Sequence, residues 1–328
     1  MKRVLVTGGC GFIGSNIVRA LLAEGYSVRV LENLATGRKE NLEGAAEEVD
    51  LIEGPEGILS PELCARAVKG VDAILHQAAL PSVPRSIANP ALTDRVNVKG
   101  TLTLLEAARH EGVRRFVFAS SSSIYGDAPG EIRTEDIGPQ PLSPYAVSKR
   151  AAEVYVNLYH RLFGLETVVL RYFNVFGPRQ DPNSQYAAVV PIFTRHMLAR
   201  KKSTIYGDGE QSRDFTFVEN VVSGNLLALE AEGVAGEVFN LATSENHSVN
   251  DLFRLIRDFA GGNGVEPVYA PSRKGDVRRS LADISKAERM LGYKVLVPFE
   301  EGIRRTVTWY REIAAGEDGS GAPGGRRR

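Results

Sequence analysis

The run RVLVTGGCGFIG, Arg3 to Gly14, decides the fold. Its apolar start reads as a buried strand over Arg3–Gly8, and FIGSNIVRALLAEG, from Phe12, reads as a helix that ends at Gly25. Between them Gly8, Gly11 and Gly14 are spaced three and three. Glycines at such a strand-to-helix turn let the backbone bend tightly and come close to a pyrophosphate. The helix start then offers free N–H groups and partial positive charge to that anion, with Phe12 and Ile13 in its first turn. The next strand, SVRVLEN, ends in Glu32 and Asn33, with Glu32 eighteen residues past Gly14. A carboxylate there accepts from both adenosine ribose hydroxyls and repels a 2′-phosphate, so the pattern favours NAD over NADP. Arg38 and Lys39 lie just beyond and would take a phosphate if their loop folded back.

Outward from this unit, apolar runs alternate with amphipathic ones. VDAILHQAA (Val71–Ala79), RRFVFASS and ETVVLRYFN (Glu166–Asn174) read as strands. Helical patterns run from about Ala91 to Glu111 and from Tyr145 to Phe163. The alternation predicts an α/β fold, a Rossmann-type doubly wound parallel sheet. After Asn174 the pattern loosens. We expect an NAD-binding domain over 1–171, rejoined by about 213–243, and a smaller, discontinuous substrate-binding domain over 172–212 and 244–314. Residues 315–328, AGEDGSGAPGGRRR, read as a disordered tail.

Composition narrows the function classes. The 328 residues are 43% apolar and 24% charged, as in ordinary globular proteins. Forty basic residues balance forty acidic ones, so no net field favours nucleic acid or a membrane surface. No apolar run approaches the ~18 residues of a membrane span, and MKRVLVTGG enters a strand directly, without a signal-peptide pattern. Cys10 and Cys64 form no disulfide framework, which fits the cytoplasm. No metal-ligand spacing stands out.

In SPYAVSKR (Ser143–Arg150), Tyr145 and Lys149 are four apart and share a helix face. A lysine beside a positive nicotinamide ring would favour tyrosinate and bring the phenol down from its ordinary ~10. Tyr145 is then a candidate general base. Ser120 to Ser123 end a strand and would lie at the carboxyl edge of the sheet, where ligands bind.

Together, TGGCGFIG, the serine run and YAVSK resemble the extended short-chain dehydrogenase/reductases, over nearly the whole chain to about Tyr310. LRYFNVFGPRQDPNSQYAAVVP, GDGEQSRDF and RKGDVRRSLADISKAERMLGY are most similar to the UDP-hexose 4-epimerases, in the branch that acts on N-acetylated sugars. The resemblance implies Ser121, Tyr145 and Lys149 as the catalytic set. It implies NAD contacts from Ala78, Ala79, Asn97 and Tyr172 besides the glycine loop. On the UDP-sugar it implies Ser82, Ser122, Ser123 and Asn174, backbone from Ala188 and Val189 for the uracil, and Tyr206 stacked on it. Arg213 and Arg273 would clamp the diphosphate, Asp276 would take the uridine ribose, and Ser280 would wall the pocket beside the sugar C2 group. A tyrosine at that wall restricts the pocket to glucose and galactose, so Ser280 implies room for an acetamido group.

Three positions depart from the family pattern: Glu32 stands for the usual Asp, Pro55 for an acid near the adenine, and Pro81 for Lys or Gly near the pyrophosphate. Related dehydratases carry Asp-Glu at the positions of Ser122 and Ser123, and decarboxylases carry Glu at the latter. The expected activity is therefore 4-epimerisation of UDP-hexoses, UDP-GlcNAc/UDP-GalNAc and also UDP-Glc/UDP-Gal. A UDP-glucuronate 4-epimerase is the alternative, and a non-catalytic NAD(H)-sensing protein a remote one. The helical patterns at about Ala91–Glu111 and Tyr145–Phe163 are expected to expose apolar stripes that include Leu102, Leu105, Val154 and Leu158; the family pairs the equivalent helices, which implies a homodimer.

Overall fold

The computed structural model describes residues 2–181, 188–272 and 278–319. Seven parallel strands make the main sheet, ordered β12-β7-β5-β4-β1-β2-β3. These are β1 (Arg3–Thr7), β2 (Ser27–Glu32), β3 (Val49–Glu53), β4 (Ala73–His76), β5 (Arg115–Ser121), β7 (Glu166–Tyr172) and β12 (Glu237–Leu241). The order reverses between β1 and β4, which opens the crevice where a doubly wound sheet binds its ligand. Fully buried strand residues such as Val4, Leu5, Val6, Ile74 and Val117 explain the near-continuous apolar runs of the sequence.

Helices α1 (Phe12–Ala23), α2 (Pro61–Val68), α5 (Gly100–Glu111), α6 (Pro144–Phe163) and α8 (Val218–Glu230) cover the sheet. The single helix expected from about Ala91 is divided. Short α3 (Val83–Ala88) and α4 (Pro90–Asp94) are followed by a π-helical turn at Arg95–Lys99, which runs into α5. Such wide turns interrupt the regular ladder and recur at functional sites. Leu105, expected on the surface, is fully buried in the core beneath α5. Helix α6 starts where its chemistry dictates: Ser143 accepts from the Ala146 amide at 3.2 Å and Pro144 fills the first turn.

Three smaller sheets accompany the main one among the described residues. β6 (Ile132–Arg133), β10 (Ser212–Arg213), β13 (His247–Ser248) and β15 (Arg279–Ala282) form a four-stranded sheet ordered β13-β10-β15-β6. β8 (Val175–Phe176) pairs β11 (Thr216–Phe217), and β9 (Thr204–Tyr206) pairs β14 (Val268–Ala270). Helices α7 (Val189–Leu198), α9 (Val249–Ala260), α10 (Ser285–Leu291) and α11 (Phe299–Gly319) pack around them. α11 continues five residues into the stretch expected to be a disordered tail, and 320–328 lie outside the described residues. Both cysteines are buried and free. Among the described residues no helix is long and apolar enough to cross a membrane.

Candidate active site

The glycine loop is built by close backbone approach. A Cβ on Gly14 would lie 2.1 Å from the Gly8 carbonyl oxygen, and one on Gly8 2.9 Å from Ala78 Cα. Gly8 also has φ +70°, a conformation that favours glycine. Gly11 caps α1 with no side-chain cap bond, and the first turn holds no acid. The amides around Phe12 and Ile13 therefore face the crevice without a carboxylate, as an anion site requires.

Glu32 is buried at the end of β2, but its longer arm folds back. Oε1 accepts from the Asn33 and Leu34 amides, both at 2.9 Å, and Oε2 from the Cys10 amide at 3.1 Å. A carboxylate has about four acceptor positions. Three are taken by backbone amides among the described residues, which leaves Glu32 less free for two ribose hydroxyls than expected. Asn33 is exposed beside it, its Oδ1 bonded to the Ala35 amide. Arg38 pairs with Asp181 at 2.9 Å and Lys39 with Glu53 at 2.6 Å. Both cations expected as takers of a 2′-phosphate thus already face carboxylates. These features fit NAD.

At the carboxyl ends of β5 and the start of α6 the expected catalytic residues meet. The Tyr145 hydroxyl lies close enough to Ser121 to feel its polarity, and Ser121 Oγ accepts from the Ser123 amide at 3.2 Å. Burial pushes the Tyr145 phenol above its ordinary range, and Ser121 draws it partly back. The expected lowering is therefore not a property of the polypeptide alone. Lys149 is buried one turn on and donates to the Ala119 carbonyl at 2.9 Å. Burial pushes its ammonium down to about 8, against the pull of Glu153. Ser123 Oγ is buried and has no hydrogen-bond partner among the described residues. Ser122 is half-buried in the same turn.

Of the two supports behind this pair, Glu153 was missed by the sequence reading and Asn97 was expected beside the cofactor. Glu153, fully buried one turn past Lys149, accepts from Ser120 Oγ at 2.6 Å and is gripped by Arg171 at 3.0 and 3.2 Å. It stands behind Lys149 as a fixed counter-charge. The i, i+4 spacing of Lys149 and Glu153 was the available signal. Asn97, buried in the π-turn, exchanges bonds with the Leu80 backbone at 2.8 and 3.2 Å and donates to Ser148 Oγ at 3.0 Å. Ala78 and Ala79 follow β4 and are half-buried. The Tyr172 hydroxyl is held against Gln77 and Asn225.

Further out, Ser82 caps α3 with φ 117° and accepts from the Arg85 amide. Asn174, at φ 31°, donates to the Asp214 carbonyl at 2.9 Å. Ala188 caps α7, Val189 opens it, and Tyr206 is 37% exposed at the end of β9. Arg213 on β10 is the register partner of Ser280 on β15. Arg273 and Asp276 lie outside the described residues. No group of metal-ligating side chains occurs among the described residues.

Residues 4–242 match the model of the NAD dependent epimerase/dehydratase family, and the chain belongs to that family. It is 41% identical over 312 residues to the UDP-glucose 4-epimerase of Mycolicibacterium smegmatis, covering 94% of this chain and 98% of that protein. A crystal structure of UDP-glucose 4-epimerase with UDP-glucose from Thermotoga maritima superposes with TM-score 0.89 at 41% identity, covering 95% of this chain and 99% of that one. The UDP-N-acetylglucosamine 4-epimerase of Methanobrevibacter ruminantium superposes with TM-score 0.90 at 39% identity, covering 95% and 99%.

Proposed function

We propose that this protein is an NAD-dependent UDP-hexose 4-epimerase that interconverts UDP-GlcNAc with UDP-GalNAc and UDP-Glc with UDP-Gal. The observation that carries the reading is the company kept by Tyr145. Its hydroxyl stands beside Ser121, and the turn that follows offers the hydroxyls of Ser122 and Ser123 and no carboxylate. Removing water or carbon dioxide from an oxidised sugar calls for a further acid or base near neutral pH. Serine hydroxyls supply none.

In this reading the glycine loop, Glu32, Asn33, Ala78, Ala79, Asn97, Lys149 and Tyr172 hold NAD. Bound NAD supplies reversible acceptance of a hydride from the sugar C4. Tyr145 takes the C4 hydroxyl proton and later returns it. Ser121 orients the same oxygen, and the Lys149 ammonium favours the phenolate. Ser123 Oγ, buried and without a partner among the described residues, suits a sugar hydroxyl. Asn174, Ala188, Val189, Tyr206 and Arg213, with Arg273 and Asp276, anchor the UDP while the sugar turns its other face. Arginine suits the diphosphate through charge-assisted bonds. Ser280, beside Arg213, leaves space next to the sugar C2 group.

We further infer a homodimer paired through α5 and α6. Val154 is 50% exposed, Leu158 38% and Leu162 62%, in one stripe along α6. Leu102 is half-buried on α5.

The test is a coupled assay over UDP-GlcNAc, UDP-Glc and UDP-glucuronate. Turnover of the first two, with no net cofactor consumed, is expected. A product lighter by water or carbon dioxide would overturn the reaction type. Preferential turnover of UDP-glucuronate would overturn the substrate class.

A further inference from the structure

His76 is the last residue of β4 and is 1% exposed. It touches none of the proposed reacting groups, yet it sits between the β1 end that leads into the glycine loop and Lys149 of α6. Its Nδ1 lies 2.7 Å from Thr7 Oγ1 and its Nε2 2.9 Å from Thr101 Oγ1. The rings of Phe116 and Phe118 pack against it, each with centroids 5.7 Å away.

The neighbours decide where its proton is. Thr101 Oγ1 gives its only hydrogen to the Asn97 carbonyl at 2.7 Å, and a carbonyl can only accept. Thr101 must then accept from His76, so Nε2 carries the proton. On the other side Thr7 Oγ1 accepts the Ala78 amide at 3.2 Å and keeps its hydrogen for Nδ1. The opposite tautomer would leave the Thr7 hydrogen unused and set two lone pairs together at Thr101. A charged imidazole would leave the Thr7 hydrogen unused as well. Facing His76 are Thr7 from β1, Thr101 from α5, the two β5 rings, and the Lys149 ammonium from α6. Burial, with Lys149, pushes the imidazole down to about 3.

We propose that His76 is a positioning residue, a permanently neutral, Nε2-protonated imidazole that ties the dinucleotide loop to Tyr145. Two runs of hydrogen bonds, joined through Asn97 itself, connect it to both ends. The Ala78 amide, packed against Gly8, donates to Thr7, Thr7 to His76, His76 to Thr101, and Thr101 to the Asn97 carbonyl. From the Asn97 side chain the second run goes to Ser148 at 3.0 Å, and Ser148 donates to the Tyr145 carbonyl at 2.8 Å. The cofactor cradle and the base are thereby held in one register. This rests on the 4-epimerase reading only for the meaning of turnover.

The first test uses wild-type protein with its co-purified cofactor and ¹⁵N-histidine NMR. His76 should show a protonated Nε2, a bare Nδ1 and no titration across the neutral range. Protonation at Nδ1, or titration near neutrality, would overturn the proposal. This readout needs no turnover, so failure of the 4-epimerase reading leaves it standing. The second test compares variants. His76→Leu breaks both ends and should lose bound NAD together with about 10²-fold in kcat, the scale of a small misplacement of reacting groups. In His76→Asn, Oδ1 stands in for Nδ1 toward Thr7 while the donor to Thr101 is lost. Bound NAD should stay near wild type while kcat falls. Equal loss of both in the two variants, or neither in His76→Leu, would refute positioning.

Discussion

Arg213 and Ser280 are register partners in a parallel strand pair, and the Asp214 amide closes the ladder onto the Ser280 carbonyl at 3.1 Å. Partners across neighbouring strands face the same side of a sheet. The proposed diphosphate clamp and the proposed wall beside the sugar C2 group therefore share one surface. Replacing Ser280 with Tyr puts a phenol ring where the acetamido group would lie. We predict selective loss of kcat/KM on UDP-GlcNAc and UDP-GalNAc, with UDP-Glc and UDP-Gal retained. Equal loss on both pairs would show that Ser280 is not the gate.

Tyr145→Phe removes the proton acceptor while keeping the ring. Turnover should fall by the ~10²–10⁴ of lost general acid–base catalysis. UDP-sugar affinity, measured by calorimetry, should hold. Near-wild-type kcat would remove Tyr145 from the mechanism.

Lys149 links the site to stability through pH. Its ammonium is pushed from 10.5 down to about 8, first by burial. The unfolded chain keeps that proton up to 10.5, so the native state bears the full cost of the buried charge below about 8. The cost fades as pH rises from about 8 to 10.5, and amounts to ~3 kcal/mol at its greatest. In protein stripped of cofactor, Lys149→Met should therefore gain Tm relative to wild type most below pH about 8 and progressively less above it. A pH-independent Tm difference would contradict the assignment.

Gly14→Ala places a methyl group 2.1 Å from the Gly8 carbonyl oxygen, against backbone that cannot swing away. Overpacking of this kind costs about 1–3 kcal/mol. The loop that cradles the pyrophosphate must shift to relieve it. The variant should have a lower Tm and emerge from purification with less NAD than wild type. Full cofactor content would argue against the loop as the pyrophosphate site.

Leu158→Glu adds a charge to the centre of the exposed α6 stripe, where an isolated surface change costs little within one chain. In a paired helix face it would bury an unpaired carboxylate. Sedimentation at micromolar concentration should show dimeric wild type and monomeric variant. A wild-type monomer would refute the dimer outright.

What the sequence determined by itself is local. Gly8, Gly11 and Gly14 between strand and helix, Glu32 at the end of the next strand, and Tyr145 with Lys149 one turn apart are set by spacings along the chain. Backbone geometry converts such spacings directly into a shared face or a tight turn. Tertiary structure decided what each group meets. Leu105 has the apolar character of its neighbours on α5, but only the packing of α5 on the sheet makes it core. Glu32 was legible as a ribose ligand, yet the fold of its own loop takes most of its acceptor positions. His76 looked like one residue of an apolar strand. Its role arises because β1, β4, α5 and the π-turn bring Thr7, Thr101 and Asn97 around one ring. Arg213 and Ser280 became neighbours through strand pairing between distant segments. Hydrogen-bond direction and register depend on which distant segments pair, and that pairing is set by burial of the whole core.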